Sequence, residues 1–146
     1  MIFFTDGSGN GGFGFVCVEV LEDLTGESIV KQVCRIPVTE KITNNRAELS
    51  GIILALEYML EHHTTENCIV SDSLISIKTL TEWLPKRLRD GTQAKLQNLD
   101  LLMKAHSMLT SLNVKFRHVN SHQKAVVGGA EYYYYLGNNM IDQLIA

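Results

Sequence analysis

The spacing of apolar residues changes partway along this chain of 146 residues, and that change constrains the fold more than any other feature. Over residues 1–6, 13–21 and 28–37, β-branched and aromatic residues predominate without a helical period, which predicts three strands. Further along, apolar residues recur at i, i+3, i+4, i+7, i+10 and i+11. They form one helical stripe consisting of Leu49, Ile52, Ile53, Leu56, Met59 and Leu60.

The remainder of the chain alternates between short strands and helices. Residues 68–70 and 114–119 predict strands, and GNNMIDQLIA predicts a short terminal helix after a long loop. A helix that stops near Pro85 is expected to bury Leu74, Ile77, Leu80 and Leu84. After a polar, basic link (KRLRDGTQAK), a longer helix is expected to run through Leu96, Leu99, Met103 and Leu109. The order βββαβααβα indicates one α/β domain over residues 1–146, with a mixed sheet flanked by helices.

Residues Gly9–Gly14 match the G-x-G-x-x-G pattern of a dinucleotide-binding turn. That function requires a strand before the glycines and a helix that opens directly after them. The residues from Phe13 to Val20 predict a strand instead, so no helix N-terminus is available to receive a pyrophosphate. We interpret the segment as the turn of a β-hairpin.

Net charge and its distribution narrow the choice of partners. The formal charge of −3 argues against a strongly basic nucleic-acid binder. Residues 1–73 carry 11 acidic and 4 basic side chains, whereas residues 74–146 carry 5 acidic and 9 basic ones. An acidic cluster beside a basic surface is typical of a metal-dependent enzyme that acts on a polyanion, although chance asymmetry in a short chain gives the same numbers.

Membrane and export signals are missing from the sequence. No stretch approaches 18 uninterrupted apolar residues, and the N-terminus lacks the pattern of a secretory signal, so we expect a soluble, cytoplasmic protein with no membrane partner. Cys17, Cys34 and Cys68 lie in apolar runs without metal-binding spacing, which favours reduced core thiols over a redox or zinc role. We also expect a monomer.

Four carboxylates stand at informative places. Asp6 and Asp72 end apolar strands, Glu48 is placed in the first turn of the long helix, and Asp142 flanks the buried face of the last helix. Singly, each could serve a turn, a cap, a helix dipole or a solvated surface. Together at one sheet edge they would repel one another unless cations were bound, and oxygen ligands favour Mg²⁺ or Mn²⁺.

Five segments carry a family resemblance: FTDGSGN, TNNRAEL, IVSDS, VNSHQ and GNNMIDQLI. In this order and spacing they resemble type 1 ribonuclease H over nearly the whole chain. The resemblance implies a ribonuclease H-like fold, with a five-stranded mixed sheet in the order 3-2-1-4-5. It also implies a free-standing endonuclease that cleaves the RNA strand of RNA–DNA hybrids by two-metal-ion catalysis, leaving 5′-phosphate and 3′-hydroxyl ends.

Two alternatives to this activity stay open. One is a catalytically silent or differently specific nucleic-acid-binding module on the same fold, which would usually have lost one or more carboxylates. The other is a different nuclease, such as a resolvase or a fragment of a reverse transcriptase. All four acids are present in this chain.

The resemblance also implies roles for individual residues. The metal-binding and catalytic carboxylates would be Asp6, Glu48, Asp72 and Asp142, with two Mg²⁺ ions in the substrate complex and Mn²⁺ as a substitute. His122 would help with proton transfer or product release. Contacts with the minor groove and the RNA 2′-hydroxyls would come from Asn10, Gly11 and Asn45. A phosphate of the DNA strand would be held by Lys41, Thr43 and Asn98. Asn138 would share a helix face with Asp142.

Several features depart from the family pattern. Ser121 replaces a glycine before the loop histidine, and Leu74 stands where many members have glutamine. The segment from Gln123 to Leu136 is longer than expected, and its tyrosines Tyr132–Tyr135 could pack against the body, stack on unpaired bases or cover the site. In place of a larger basic handle the chain has candidate substrate-binding residues Lys86, Arg87 and Arg89. They predict either a weak, salt-sensitive grip on the hybrid or a solvated loop.

Overall fold

The computed structural model describes residues 1–120, 126–129 and 131–146. Among them, five strands form one sheet: β1 (Ile2–Gly7), β2 (Gly12–Val18), β3 (Val30–Arg35), β4 (Asn67–Ser71) and β5 (Val114–His118). Their spatial order is β3-β2-β1-β4-β5. The first three strands pair antiparallel, whereas β4 is parallel to both β1 and β5. The predicted sheet order is therefore confirmed.

Helices cover both faces of this sheet. They are α1 (Asn44–His62), α2 (Leu74–Lys78), α3 (Leu84–Asp90), α4 (Leu99–Leu109) and α5 (Tyr132–Ile145). A 3₁₀ helix (Leu21–Thr25) occupies the connection from β2 to β3. In the part of the chain that the structure describes, no helix is both long and apolar enough to cross a membrane.

The two faces of the sheet bury separate apolar clusters. Successive residues of a strand point to opposite faces. Phe3 therefore packs with α1 and α4, whereas Phe4 packs with α5. Five of the six residues of the predicted α1 stripe are buried, and Leu60 at its end is exposed.

The prediction that a helix stops near Pro85 is wrong. A π-helical turn (Thr79–Trp83) joins α2 directly to α3, which continues to Asp90 and ends at Gly91, with a φ of 70°. Pro85 lies at the N-terminal end of α3, where its missing N–H removes little helical hydrogen bonding. The basic residues predicted on a link therefore lie on a helix, and these are Lys86, Arg87 and Arg89.

One predicted core position is also wrong, because Leu74 is exposed. The helix predicted to begin near Leu96 starts only at Leu99, and its buried residues are Leu102 and Ala105.

The four tyrosines form the first turn of α5 rather than part of a loop. Tyr133, Tyr134 and Tyr135 are partly buried against the apolar cluster on that side of the sheet. This arrangement favours the interpretation in which the tyrosines pack against the body of the domain.

Candidate active site

Two glycines allow α1 to lie directly on the end of β1. A Cβ atom at Gly7 would come within 2.2 Å of the carbonyl carbon of Ala47, and one at Gly51 within 2.6 Å of the carbonyl oxygen of Asp6. Real Cβ atoms do not approach backbone so closely, so a side chain at either position would push the helix away from the strand. This close approach places Glu48 next to Asp6.

Three carboxylates meet at this edge of the sheet. One oxygen of each of Asp6, Glu48 and Asp72 belongs to a group in which all atoms lie within 4.8 Å of one another. Asp6 is near the carboxyl end of β1, and Asp72 directly follows β4, its parallel neighbour. Because parallel strands end at the same edge, the two acids converge as predicted.

Glu48 does not occupy the first turn of α1, which was the expectation. Helix α1 begins at Asn44, and Thr43 caps it by accepting a hydrogen bond from the Arg46 N–H at 3.2 Å. Glu48 is thus one turn further along, where it does little for the helix dipole, because that effect falls off within the first turn. Its position is explained by the neighbouring carboxylates rather than by the helix terminus.

Burial makes the ionised forms of these acids unfavourable. Asp6 is only 3 % exposed. Burial, reinforced by the charges of Asp72 and Asp142, raises the pKa of Asp6 to about 7, against the lowering effect of hydrogen bonds from Glu48 and the Gly7 N–H. Burial and the charge of Asp6 raise the pKa of Glu48 still further. The cluster therefore holds protons in the absence of a counter-charge.

The chemistry of the cluster fits a divalent cation. The Gly7 N–H donates to Asp6 Oδ1 at 2.8 Å and orients that carboxylate. Glu48 Oε2 is buried and has no hydrogen-bond partner within residues 1–120, 126–129 and 131–146, a costly state for a carboxylate oxygen. An all-oxygen set of this kind suits Mg²⁺ or Mn²⁺, which would compensate the buried like charges.

Asp142, the fourth predicted acid, lies on α5 outside the group of three. It is close enough for its charge to raise the pKa of Asp6. Helix α5 packs tightly on β1, because a Cβ at Gly137 would come within 2.4 Å of the Phe4 ring. Asn138, one turn before Asp142, is buried, with only 3 % of its surface exposed.

The residues predicted to contact substrate lie on several elements. Asn10 is exposed and Gly11 half-buried in the turn between β1 and β2, and the exposed residues Lys41, Thr43 and Asn45 lead into α1. Asn45 and Asn98 line one groove of about 140 Å³, which also has apolar walls formed by Leu49, Ile75, Trp83, Leu96 and Leu102. Of the possible substrate-binding residues, Lys86 and Arg87 line a second groove of about 410 Å³ beside Trp83. His122 lies outside the residues that the structure describes.

Sequence reasoning missed how Asn98 is held. Arg46 donates to both carboxylate oxygens of Asp100, at 3.0 and 2.9 Å, and to Asn98 Oδ1 at 3.2 Å. Since a guanidinium can only donate, the side-chain oxygen of Asn98 must face Arg46, and its NH₂ group is left to donate elsewhere. Arg46, the arginine of the segment TNNRAEL, was the residue in the sequence that could have indicated this contact.

A second contact that the sequence did not predict supports Asp72. His118 Nε2 lies 3.2 Å from the backbone carbonyl oxygen of Asp72. Because a carbonyl only accepts, the histidine donates here, and it joins the end of β5 to the residue that carries the third carboxylate.

The chain resembles known proteins along its whole length. Residues 1–146 match the family model described as RNase H. A ribonuclease H of Schizosaccharomyces pombe is 41 % identical over 87 residues, which are 57 % of this chain and 31 % of that protein, so the chain spans about a third of that relative. A ribonuclease H of Pseudomonas syringae pv. syringae is 32 % identical over 130 residues, covering 82 % of this chain and 78 % of the relative.

The fold has counterparts among solved structures. The solution structure of the PFV RNase H domain superimposes with a TM-score of 0.71 at 15 % identity, covering 99 % of this chain and 90 % of that domain. At this level of identity the likeness shows the fold alone, and it agrees with the sheet order observed here.

Proposed function

The chain belongs to the RNase H family, and on that premise we propose that it is an endoribonuclease that hydrolyses the RNA strand of RNA–DNA hybrids with divalent metal ions. The observation that carries the proposal is the convergence of Asp6, Glu48 and Asp72 within 4.8 Å at one sheet edge. Such a cluster of one buried and two partly buried carboxylates is unfavourable without cations and serves phosphodiester cleavage with them.

In the proposed reaction the carboxylates hold the metal ions and the substrate is positioned against them. Asp6, Glu48, Asp72 and Asp142 would hold two Mg²⁺ ions, with Mn²⁺ as a substitute. The chemistry that the bound ions would supply is the ionisation of a water and the neutralisation of charge on the leaving oxygen, which would give 5′-phosphate and 3′-hydroxyl ends. His122 would move a proton during the reaction or assist product release.

Selection of RNA would depend on contacts with the 2′-hydroxyl, the group that DNA lacks. We assign these contacts to Glu48, Asn45, and the turn at Asn10 and Gly11. The exposed position of Asn45 at the start of α1, one turn before Glu48, supports the assignment. We also assign Asn138 to substrate binding, because it lies one turn before Asp142 on α5.

The DNA strand would be held by a phosphate contact at Lys41, Thr43 and Asn98. The orientation of Asn98 supports this proposal, because Arg46 engages its oxygen and leaves the NH₂ donor for an anion. The Thr43 hydroxyl already accepts from the Arg46 N–H but retains its own proton to donate. Lys86, Arg87 and Arg89 on α3 would extend the positive surface along the hybrid.

A cleavage assay with matched variants tests the proposal. We expect Mg²⁺-dependent cutting of the RNA strand in a labelled hybrid, and no cutting of RNA duplex, DNA duplex or any substrate in EDTA. Asp6→Asn and Glu48→Gln should lower the rate by more than about 100-fold, the upper end for losing an outer-shell partner of a metal. Glu57→Gln, on the exposed face of the same helix, is the control and should cut within twofold of wild type.

Two outcomes would contradict the proposal. Cleavage of the hybrid by the Asp6→Asn protein at the wild-type rate would show that the metal site is assigned to the wrong residues. Failure of the wild-type protein to cut the hybrid with either Mg²⁺ or Mn²⁺ would favour a silent nucleic-acid-binding module.

We propose that the protein acts in the cytoplasm and as a monomer. The prediction that Cys34 is a core thiol is wrong, because this residue is exposed. An exposed thiol supports a reducing compartment, since such a group is readily oxidised elsewhere. Light scattering of the purified chain would test the oligomeric state.

A further inference from the structure

Asp142 lies on helix α5, so its distance from Asp6, Glu48 and Asp72 depends on how that helix is rotated about its own axis. Tyr134, Asn138 and Asp142 are spaced at i, i+4 and i+8 and share one face of α5. Side chains extend about 6 Å from a helix axis, so a rotation of about 10° displaces a carboxylate by about 1 Å. Metal–oxygen distances tolerate only about 0.2 Å.

Arg117, on strand β5, makes two contacts with the beginning of α5. The guanidinium carbon of Arg117 on β5 lies 3.9 Å from the centre of the Tyr134 ring. Arg117 Nη2 also donates to Glu131 Oε1 at 2.6 Å, and Glu131 is the residue directly before α5. One side chain thus contacts the helix at two points, through a flat cation–π face and a charge-assisted hydrogen bond.

Tyr134 is held from a second side as well. Its ring lies 6.5 Å from the ring of Phe4 on β1, centre to centre. Phe4 in turn packs against Gly137 of α5 and is two residues before Asp6. Tyr134 therefore links β5 to β1 on the same helix face that carries Asp142 two turns later.

Stability alone does not account for this arrangement. The side chains of Arg117 and Glu131 are 42 % and 41 % exposed, and ion pairs at such exposure contribute little to folding. Their effect is geometric, because a planar guanidinium stacked on a ring and paired to a carboxylate permits few orientations of the helix.

We propose that Arg117 is a positioning residue: by gripping Tyr134 and Glu131 it sets the rotation of α5, and with it the distance of Asp142 from Asp6, Glu48 and Asp72. The inference rests on the proposed metal site. Its consequence is that removal of the Arg117 side chain weakens binding of divalent cations, although Arg117 touches none of the four acids in the contacts described above.

The direction in which cation affinity changes when the Arg117 side chain is removed distinguishes a positioning role from a purely electrostatic one. Removal of a positive charge near an acidic site strengthens cation binding by Coulomb's law. Positioning predicts the opposite for Arg117. Lys115, an exposed cation two residues earlier on β5, is the matched control for charge.

Calorimetric titration with Mn²⁺, without nucleic acid, tests the inference. We expect Arg117→Met and Tyr134→Leu to raise the Mn²⁺ dissociation constant fivefold or more. Tyr134→Phe, which keeps the ring, and Lys115→Met should stay within twofold of wild type or bind more tightly. Melting temperatures of all four variants should remain within a few degrees of wild type. In an Asp142→Asn background, Arg117→Met should have no further effect on Mn²⁺ binding.

Three results would overturn the inference. Unchanged or tighter Mn²⁺ binding by Arg117→Met would show that the contact does not position Asp142. An equal loss in the Asp142→Asn background would show that the effect reaches the metal by another route. No Mn²⁺ binding by the wild-type protein would remove both this inference and the proposed metal site, whereas normal wild-type binding with an unaffected Arg117→Met protein removes the inference alone.

Discussion

Gly51 of α1 lies directly against the backbone of Asp6 on β1, so closely that a Cβ atom on this glycine would come within 2.6 Å of the Asp6 carbonyl oxygen. The obstacle is backbone rather than the end of a flexible side chain. Any larger residue must therefore shift the helix or the strand, and Glu48 lies less than one turn away on the same helix.

We predict that Gly51→Ala destabilises the protein by about 1–3 kcal/mol, the usual cost of overpacking, and also slows cleavage of the hybrid. On an exposed helix the same change would stabilise by about 0.5–1 kcal/mol, so the sign is diagnostic. Urea unfolding measures the effect. Gly26→Ala is the control, because its Cβ would meet only the Asp23 carbonyl oxygen at 3.6 Å. Equal stability of the two variants would contradict the close contact.

The acidic cluster should make the metal-free protein less stable as the pH rises. Folding raises the pKa of Asp6 from 3.8 to about 7, so the folded state binds more protons than the unfolded state between these values. Its stabilising contribution is complete below about pH 4 and is lost as the pH rises through 7. We expect the melting temperature in EDTA to fall across this range and Mg²⁺ to restore it at pH 8.

Comparison with Asp6→Asn isolates this group from others that titrate in the same range. In EDTA at pH 8 the variant should be more stable than wild type by about 1–3 kcal/mol, since a pKa shift of one unit corresponds to about 1.4 kcal/mol and the cluster shares its protons. The advantage should vanish near pH 4. Parallel stability curves for the two proteins would refute the effect.

The cations of α3 should make binding of the hybrid sensitive to salt. Lys86 and Arg89 are exposed on this helix. In an inactive Asp6→Asn background, the double change Lys86→Ala with Arg89→Ala should reduce the slope of log affinity against log salt by about 0.9 for each phosphate that is no longer neutralised. Lys31→Ala, on the opposite edge of the sheet, should leave the slope unchanged. A slope that does not respond to the double change would assign these residues to a merely solvated surface.

Arg46 should influence binding of the DNA strand through Asn98. Because Arg46 contacts Asn98 Oδ1 at 3.2 Å, Arg46→Gln should release the Asn98 side chain and weaken hybrid binding severalfold, with the rate at saturation nearly unchanged. A hybrid with one uncharged methylphosphonate at the contacted DNA phosphate provides the measurement. Wild type should lose affinity for it, and Arg46→Gln should lose none beyond its own defect. Additive losses would separate Arg46 from that phosphate.

The order of the sheet was predicted from the family resemblance, whereas the convergence of Asp6 with Asp72 could be predicted from local signals. Apolar spacing distinguishes strand from helix, and parallel neighbours end at one edge. The position of Glu48 over that edge depends on the contacts of Gly7 and Gly51 with backbone that is distant in sequence. Spacing alone therefore placed Glu48 one turn too early in α1.

The errors arose where local rules depend on tertiary context. Pro85 suggested a helix end, but a π-helical turn before it lets the helix continue. Leu96 suggested the start of a helix, but α4 begins three residues later, at Leu99. The contacts of Arg117 with Tyr134 and Glu131 involve no recognisable sequence motif, so they could not be predicted from the sequence.

The carboxylates of the cluster come from three separate elements, β1, α1 and the residue after β4. A cation that bridges them would link these elements, and opening of any one would release it. Bound metal should therefore slow amide hydrogen exchange well beyond its own ligands, merging local openings of strand and helix into a single cooperative unit. The site would then report on the integrity of the whole sheet rather than on the acids alone.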